Sequence, residues 1–233
     1  MLDLYFVSCT RGAKEGTFLY RSLVKHNIST YQFFENNTAG LPSCHNRVLD
    51  ARAGRKEIIV FAHDDILIGD ISLYEKLCGT IDDGFSVVGV AGADTFEVAP
   101  MNRPTMWLHS NKAHNSGAVE HITQVKDDNV LFVTDDYGWY PRRCVVLDGV
   151  LLAVDASRIA NVRFDEQFAF HFYDLDFCLS CHNAGLMLST TNLYLSHASP
   201  GGYASPSFLT AQALFRAKWA GTSVVKVPRT GPG

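Results

Sequence analysis

No run of Lys or Arg occurs in these 233 residues, and 20 basic against 24 acidic side chains leave a formal charge of −4. With an isoelectric point near 6.1, the surface has no general attraction for polyanions, which excludes nucleic acid as a partner. No apolar stretch approaches the ~20 residues of a spanning helix, and mean hydropathy is only +0.01. The opening MLDLYFVSC lacks the basic n-region and small-residue cleavage site of a secretory leader and reads as a first strand. The expected location is therefore cytoplasmic, with at most peripheral contact at the inner face of a membrane. Cysteine is sparse: the six at positions 9, 44, 78, 144, 178 and 181 follow no disulfide-scaffold spacing, and the C-x-x-C at Cys178 and Cys181 has no second pair to complete a zinc site. Reduced thiols packed as small hydrophobes are expected. There is no G-x-x-x-x-G-K-[ST] and no G-x-S-x-G, and VVGVAGA lacks the spacing of a dinucleotide fingerprint. Internal repeats and low-complexity tracts are also missing.

What remains is a composition of 47% hydrophobic and 19% charged residues, that of a folded α/β or α+β protein. Leu4–Ser8 is a compact apolar strand that opens into Cys-Thr-Arg-Gly, and Gly16–His26 has the spacing of an amphipathic helix. Thr30–Phe34 reads as a second strand and Leu41–Ala53 as a helix stopped by Gly54. Glu57–Ala62 (EIIVFA) is the clearest buried strand and empties directly into His63-Asp64-Asp65. A helix over Ser72–Cys78 closed by Gly79, then a strand over Ser86–Ala91, continue an alternation that predicts a mostly parallel sheet with helices on both faces. Pro100–Trp139 shows weak periodicity and reads as an irregular insertion. Regularity returns with Cys144–Val154, Phe164–Asp176, a helix to about Ala184, a strand over Leu188–Ser196 and a helix near Phe208–Trp219. The Pro/Gly-containing end, 221–233, is expected to be mobile.

Acidic residues just past a buried strand lie where open α/β sheets bind ligands. Strand alternation sends His63 and Asp65 to one side and Asp64 to the other. A carboxylate with an imidazole suits Mn2+, and carboxylate oxygen suits Mg2+; a solvated turn capped by Asp64 or Asp65 is the competing reading. Asp174 and Asp176 fall about 200° apart on a helix, so one is expected at a pocket and the other to solvate or cap. His197 ends the strand NLYLS ahead of Pro200-Gly201-Gly202, a segment read as a lid; a structural or exposed histidine is the plainer reading. Trp107, Trp139 and Tyr140 are the aromatics positioned to stack on a sugar face.

The stretches FVSCTRG, GLPSCHNRVLDARAGRKEIIVFAHDDILI, VVLDGVLLAVDAS and RFDEQFAFHFYDLDFCLSCHNAGLMLSTTNLYLSHASPGG, taken in order, resemble the nucleotide-sugar glycosyltransferases of the large family 2 type. The resemblance covers most of the chain apart from residues around 95 to 140 and the tail. It implies an α/β fold: a single GT-A-like, Rossmann-like domain over 1–220, with a nucleotide half over about 1–95, the insertion over about 96–142, and an acceptor half over about 143–220. It puts Asp65 on the metal of the donor diphosphate, with His197 completing the metal shell. His63 stands where that family's first, ribose-contacting acid would be, a departure from the pattern that makes it a metal or nucleotide candidate. Ser8, Thr10, Asn37 and Asp64 are implied on the nucleotide, and Asp148, Gly149 and Tyr173 around donor sugar and acceptor, where Trp107 and Trp139 of the insertion, outside the resemblance, are the donor- or acceptor-stacking candidates. Asp174 is the implied base.

The activity implied is a Mn2+- or Mg2+-dependent inverting transfer from a nucleoside-diphosphate sugar to a glycan or lipid-linked hydroxyl acceptor, in glycan or cell-envelope polysaccharide synthesis. Phe215-Arg216-Ala217-Lys218-Trp219 does not replace the Q-x-x-R-W of processive synthases, so a single transfer is expected. A metal-dependent hydrolase or nucleotidyltransferase would use the same acids and distant His, and a sugar-binding module on this scaffold is a third reading.

Overall fold

A computed structural model describes residues 2–98, 107–124, 130–198 and 205–227. In chain order these form β1 (Asp3–Cys9), α1 (Phe18–Lys25), β2 (Tyr31–Phe34), α2 (Leu41–Arg52), β3 (Glu57–Ala62), β4 (Ile66–Ile68) and α3 (Leu73–Asp82). There follow β5 (Val87–Gly89), β6 (Ala91–Ala93), β7 (Thr95–Glu97), β8 (Asn115–Gln124), β9 (Val130–Gly138), β10 (Arg142–Cys144), β11 (Val146–Leu147) and β12 (Leu151–Asp155). The chain continues through α4 (Tyr173–Asn183), β13 (Leu188–Thr190), β14 (Leu195–His197), α5 (Pro206–Lys218) and β15 (Val224–Lys226).

The fold is a Rossmann-like α/β domain. Its main sheet has seven strands in the order β10-β13-β5-β12-β3-β1-β2. β3 sits between β12 and β1 with all six residues buried, which is why EIIVFA is apolar without alternation. Pairing is parallel along β2-β1-β3 and between β5 and β13, and antiparallel where β12 enters between β3 and β5. The parallel pattern read from the sequence thus runs unbroken only through β2-β1-β3 and is interrupted by β12 before it resumes between β5 and β13. A second sheet, β11-β6-β8-β14-β4 with β9 paired to β8, lies beyond it.

Local chemistry sets the element ends. The Thr17 hydroxyl caps α1 by accepting from the Tyr20 amide, and Ser205 does the same for α5 through Phe208. α3 runs through Gly79, where the sequence suggested a stop, because Leu77 and Ile81 on either side are both buried in the core. The turn comes instead at Gly84, whose φ of +102° L side chains rarely adopt. The single apolar run around Val87–Ala93 divides at Val90, where the chain leaves the first sheet for the second.

Two expectations are corrected. The stretch read as an irregular insertion contains the two longest described strands, β8 and β9, joined in an antiparallel ladder. Residues 130–136 of β9 are all exposed, so no buried face imposes the alternation that would mark a strand. The segment taken as a mobile tail pairs Val224–Lys226 with β7; residues 228–233 lie outside the described part, as do the Pro200-Gly201-Gly202 stretch and positions 99–106 of the insertion.

α5 closes the fold by seating Phe208, Ala211 and Phe215 on the core, with Phe215 5.2 Å from the Phe172 ring. All six cysteines are free, and Cys178 and Cys181 are buried in α4.

Candidate metal and nucleotide site

The loop leaving β3 is held from three directions. His63 N–H donates to the Val150 carbonyl at 3.1 Å, the Asp64 carbonyl accepts from Leu19 N–H at 3.1 Å, and the Asp65 carbonyl accepts from Ala198 N–H at 2.9 Å. The chain turns at Asp64–Asp65, and the clamp still leaves His63 and Asp65 facing each other, with Nδ1 and Oδ1 3.9 Å apart. β14 brings His197 to the same place by pairing antiparallel with β4, and its Nε2 stands 3.2 Å from Asp65 Oδ1. The three ligand atoms lie within 4.8 Å of one another.

Asp65 Oδ1 and His197 Nε2 are buried and have no hydrogen-bond partner; they face each other at short range without hydrogen-bond geometry. A buried polar atom left unsatisfied costs about 1–3 kcal/mol, and a shared cation would satisfy both. Burial raises the Asp65 carboxyl, but the neighbouring His197 and His63 outweigh it and hold the group below its ordinary value. Burial, then the charge of His197, pushes His63 down toward the neutral imidazole a metal ligand must be. Two imidazoles and one carboxylate fit a transition ion such as Mn2+ better than Mg2+, which prefers an all-oxygen shell.

Beside this trio a cleft opens at the carboxyl ends of β1 and β3, lined by Cys9, Leu41, His45, Asp64, Phe170 and Tyr173. His45 is buried against Phe61, with ring centroids 4.5 Å apart; burial pushes it down to about 3, so it is neutral, and its Nδ1 has no partner. Phe170 is half exposed over His63 at 6.2 Å. The sequence reading missed Cys9, Leu41, His45 and Phe170. Leu41 and His45 carry a signal in retrospect, one helical turn apart at the start of α2; Phe170 has none.

Across from the trio, the Asp148-Gly149 turn meets the start of α4. A Cβ on Gly149 would lie 2.5 Å from the Tyr173 hydroxyl and 2.9 Å from Asp174 Cβ, so this approach admits only glycine. Gly149 N–H donates to Asp174 Oδ2 at 2.9 Å, and the Tyr173 hydroxyl donates to the Gly149 carbonyl at 3.0 Å while sitting 3.3 Å from His63 Nε2. Tyr173 thereby links the Asp148-Gly149 turn to the trio of His63, Asp65 and His197. Burial, then the charge of Asp148, raises the Asp174 carboxyl to about 7.

Four sequence readings change here. Ser8 is wholly buried and its hydroxyl is spent on the Ala62 carbonyl at 2.8 Å, so it locks two strands rather than meeting a ligand. Thr10 and Asn37 turn to local backbone, Thr10 accepting from Gly12 N–H and Asn37 from Ala39 N–H. Trp107 is buried and donates through Nε1 to Asp148 Oδ2 at 2.5 Å, which makes it a brace of the turn and not an open stacking face; Trp139 is 89% exposed. Asp176 neither solvates nor caps: it is fully buried, taking Lys218 Nζ at 2.7 Å and Trp219 Nε1 at 3.0 Å, because its side of α4 faces the end of α5.

No family model and no curated protein matches the chain. Among solved structures it is similar to GalNAc-T7 with UDP, GalNAc and Mn2+, at a TM-score of 0.58 and 10% identity, over 94% of this chain and 48% of that one. The chain thus spans about half the length of that protein. It is also similar to A197 from STIV, at a TM-score of 0.53 and 13% identity, over 85% of this chain and 86% of that one. At such identities the likeness is one of fold, a Rossmann-like, GT-A-like domain.

Proposed function

We propose that this chain is a metal-dependent inverting glycosyltransferase that moves a sugar from a nucleoside-diphosphate donor to a hydroxyl of a glycan or lipid-linked acceptor, one sugar per encounter. The observation that carries the reading is the trio His63, Asp65 and His197, with two orphaned buried atoms, at the mouth of a cleft past β1 and β3, the position where open α/β sheets take nucleotides. The shared fold of a structure solved with UDP and Mn2+ supports it.

A divalent ion held by Asp65, His197 and His63 would supply Lewis-acid stabilisation to a departing diphosphate. Cys9, Leu41 and neutral His45 offer the donor base a mainly apolar wall. Asp174, near 7, accepts the proton of the attacking hydroxyl, general base catalysis typically worth ~10²–10⁴ in rate. Trp107 and Asp148 hold the turn that aims it, and exposed Trp139 presents a ring to the acceptor. Tyr173 keeps His63 and Gly149 in register.

Calorimetry with UDP, GDP and dTDP in the presence of Mn2+ tests the reading. Metal-dependent binding of at least one, abolished in Asp65→Ala, is expected; no binding by any of the three, or binding untouched by the substitution, would sink it. Donor consumption without any acceptor would move the assignment to a hydrolase.

A further inference from the structure

We infer that His121, on the arm formed by β8 and β9, is a further ligand of the metal centre, oriented for that task by Asp135. The inference deepens the metal site of the proposed function and rests on it. β14 and β8 run parallel with His197 opposite His121, and partners opposite each other in a sheet project from the same face. The two rings are 6.0 Å apart, next to the 5.5 Å between His63 and His197. Three imidazoles therefore stand in a row, with His197 in the middle and Asp65 facing it at 3.2 Å.

The outer end of the row is finished by a carboxylate. His121 Nε2 lies 3.4 Å from Asp135 Oδ2 on the neighbouring strand, and the His121 side chain is 30% exposed. The Asp135 carboxylate accepts a hydrogen bond from Nε2–H after a small turn of either side chain, which places the lone pair on Nδ1. A histidine that gives one N–H to a carboxylate and offers its other nitrogen is the arrangement metal-bound histidines use. Charge chooses the ligand: a phosphate oxygen would meet the Asp135 carboxylate beside the ring, whereas a cation is drawn to it. His121 stands outside the close trio in the structure, so it joins by a shift of the arm when metal binds. The resulting set, three nitrogens and one oxygen, favours Mn2+, Co2+ or Zn2+ over Mg2+.

The experiment titrates the full chain with Co2+, followed by visible absorption, and with Mn2+ by calorimetry, no nucleotide present. His121→Ala and His121→Gln are expected to weaken Co2+ binding about tenfold or more and to change its absorption band. Asp135→Asn should give a smaller loss in the same direction, within the about 10–100-fold range of such supports. Asp135 is exposed, so its variant folds even if His121→Ala does not, and thermal melts identify the variants to compare. Co2+ affinity within about twofold of wild type and an unchanged spectrum in the folded variants would overturn the inference. A wild-type chain that binds no metal would overturn it together with the proposed function. Metal binding lost as expected in the variants, with no nucleoside diphosphate bound by wild type, would remove the transferase reading and leave His121 a ligand.

Discussion

Asp174, the proposed base, is held and shifted at once: its oxygen accepts from the Gly149 amide while burial and Asp148 raise it to about 7 from 3.8. A carboxyl whose folded value is raised holds its proton longer in the fold than in the unfolded chain, so folding stability is lost as pH climbs from about 4 to about 7. Activity runs the other way, because only the carboxylate accepts a proton. kcat/KM is expected to rise about tenfold per pH unit below ~7 and to level off above it, and a pH–rate profile checks this. Asp174→Asn should remove turnover and flatten the stability slope, which denaturant melts at pH 5 and pH 8 would show. That a site lies at His63 and Asp65 was legible from the fully buried strand that empties there, but it is the turn at Asp64–Asp65, not continued strand alternation, that sets the two side by side. Ser8 and Trp107 were misread because whether a hydroxyl or an indole N–H is free depends on Ala62 and Asp148, distant in sequence and adjacent only in the fold.

Between elements, the joint of α4 with α5 rests on one buried acid. Asp176 is fully buried and satisfied by Lys218 and Trp219, and Lys218 also reaches Asp165 at 2.7 Å. Removing one partner of a buried pair leaves a charge uncompensated, at a cost of about 3–5 kcal/mol when both are dry. Lys218 is partly exposed, so Lys218→Met is expected to destabilise by about 2–3 kcal/mol in chemical denaturation. The double variant Asp176→Leu with Lys218→Met should recover part of that loss, since no fully buried charge is then left alone, although partly exposed Asp165 and the Trp219 N–H lose a partner; if it is no more stable than the single variant, the pair is not what holds the joint. The helices were legible wherever one face meets the core, as in α1, α2 and α5. The β8–β9 arm was not, because Val130–Asp136 bury nothing and are strands only through their ladder to β8.

For the molecule as a whole, the site ties elements far apart in the chain: β3 and its loop, β14, and the start of α4. A ligand that binds only the assembled trio must stabilise the fold by mass action, about 2.7 kcal/mol at a concentration 100 times its Kd. Thermal melts with and without Mn2+ are therefore expected to show a higher Tm with the metal, reversed by a chelator and absent in Asp65→Ala; an equal shift in Asp65→Ala would place the ion elsewhere. The elements outside the insertion and the tail, and the buried strand that empties into His63-Asp64-Asp65, were legible in the sequence alone, because apolar periodicity and turn chemistry act over a few residues. Only the tertiary structure decided that Trp107 braces Asp148, that Asp176 is buried against Lys218, and that His121 stands beside His197. Each of those depends on a neighbour brought close by sheet register or helix packing, and no local pattern encodes which distant residue that neighbour will be.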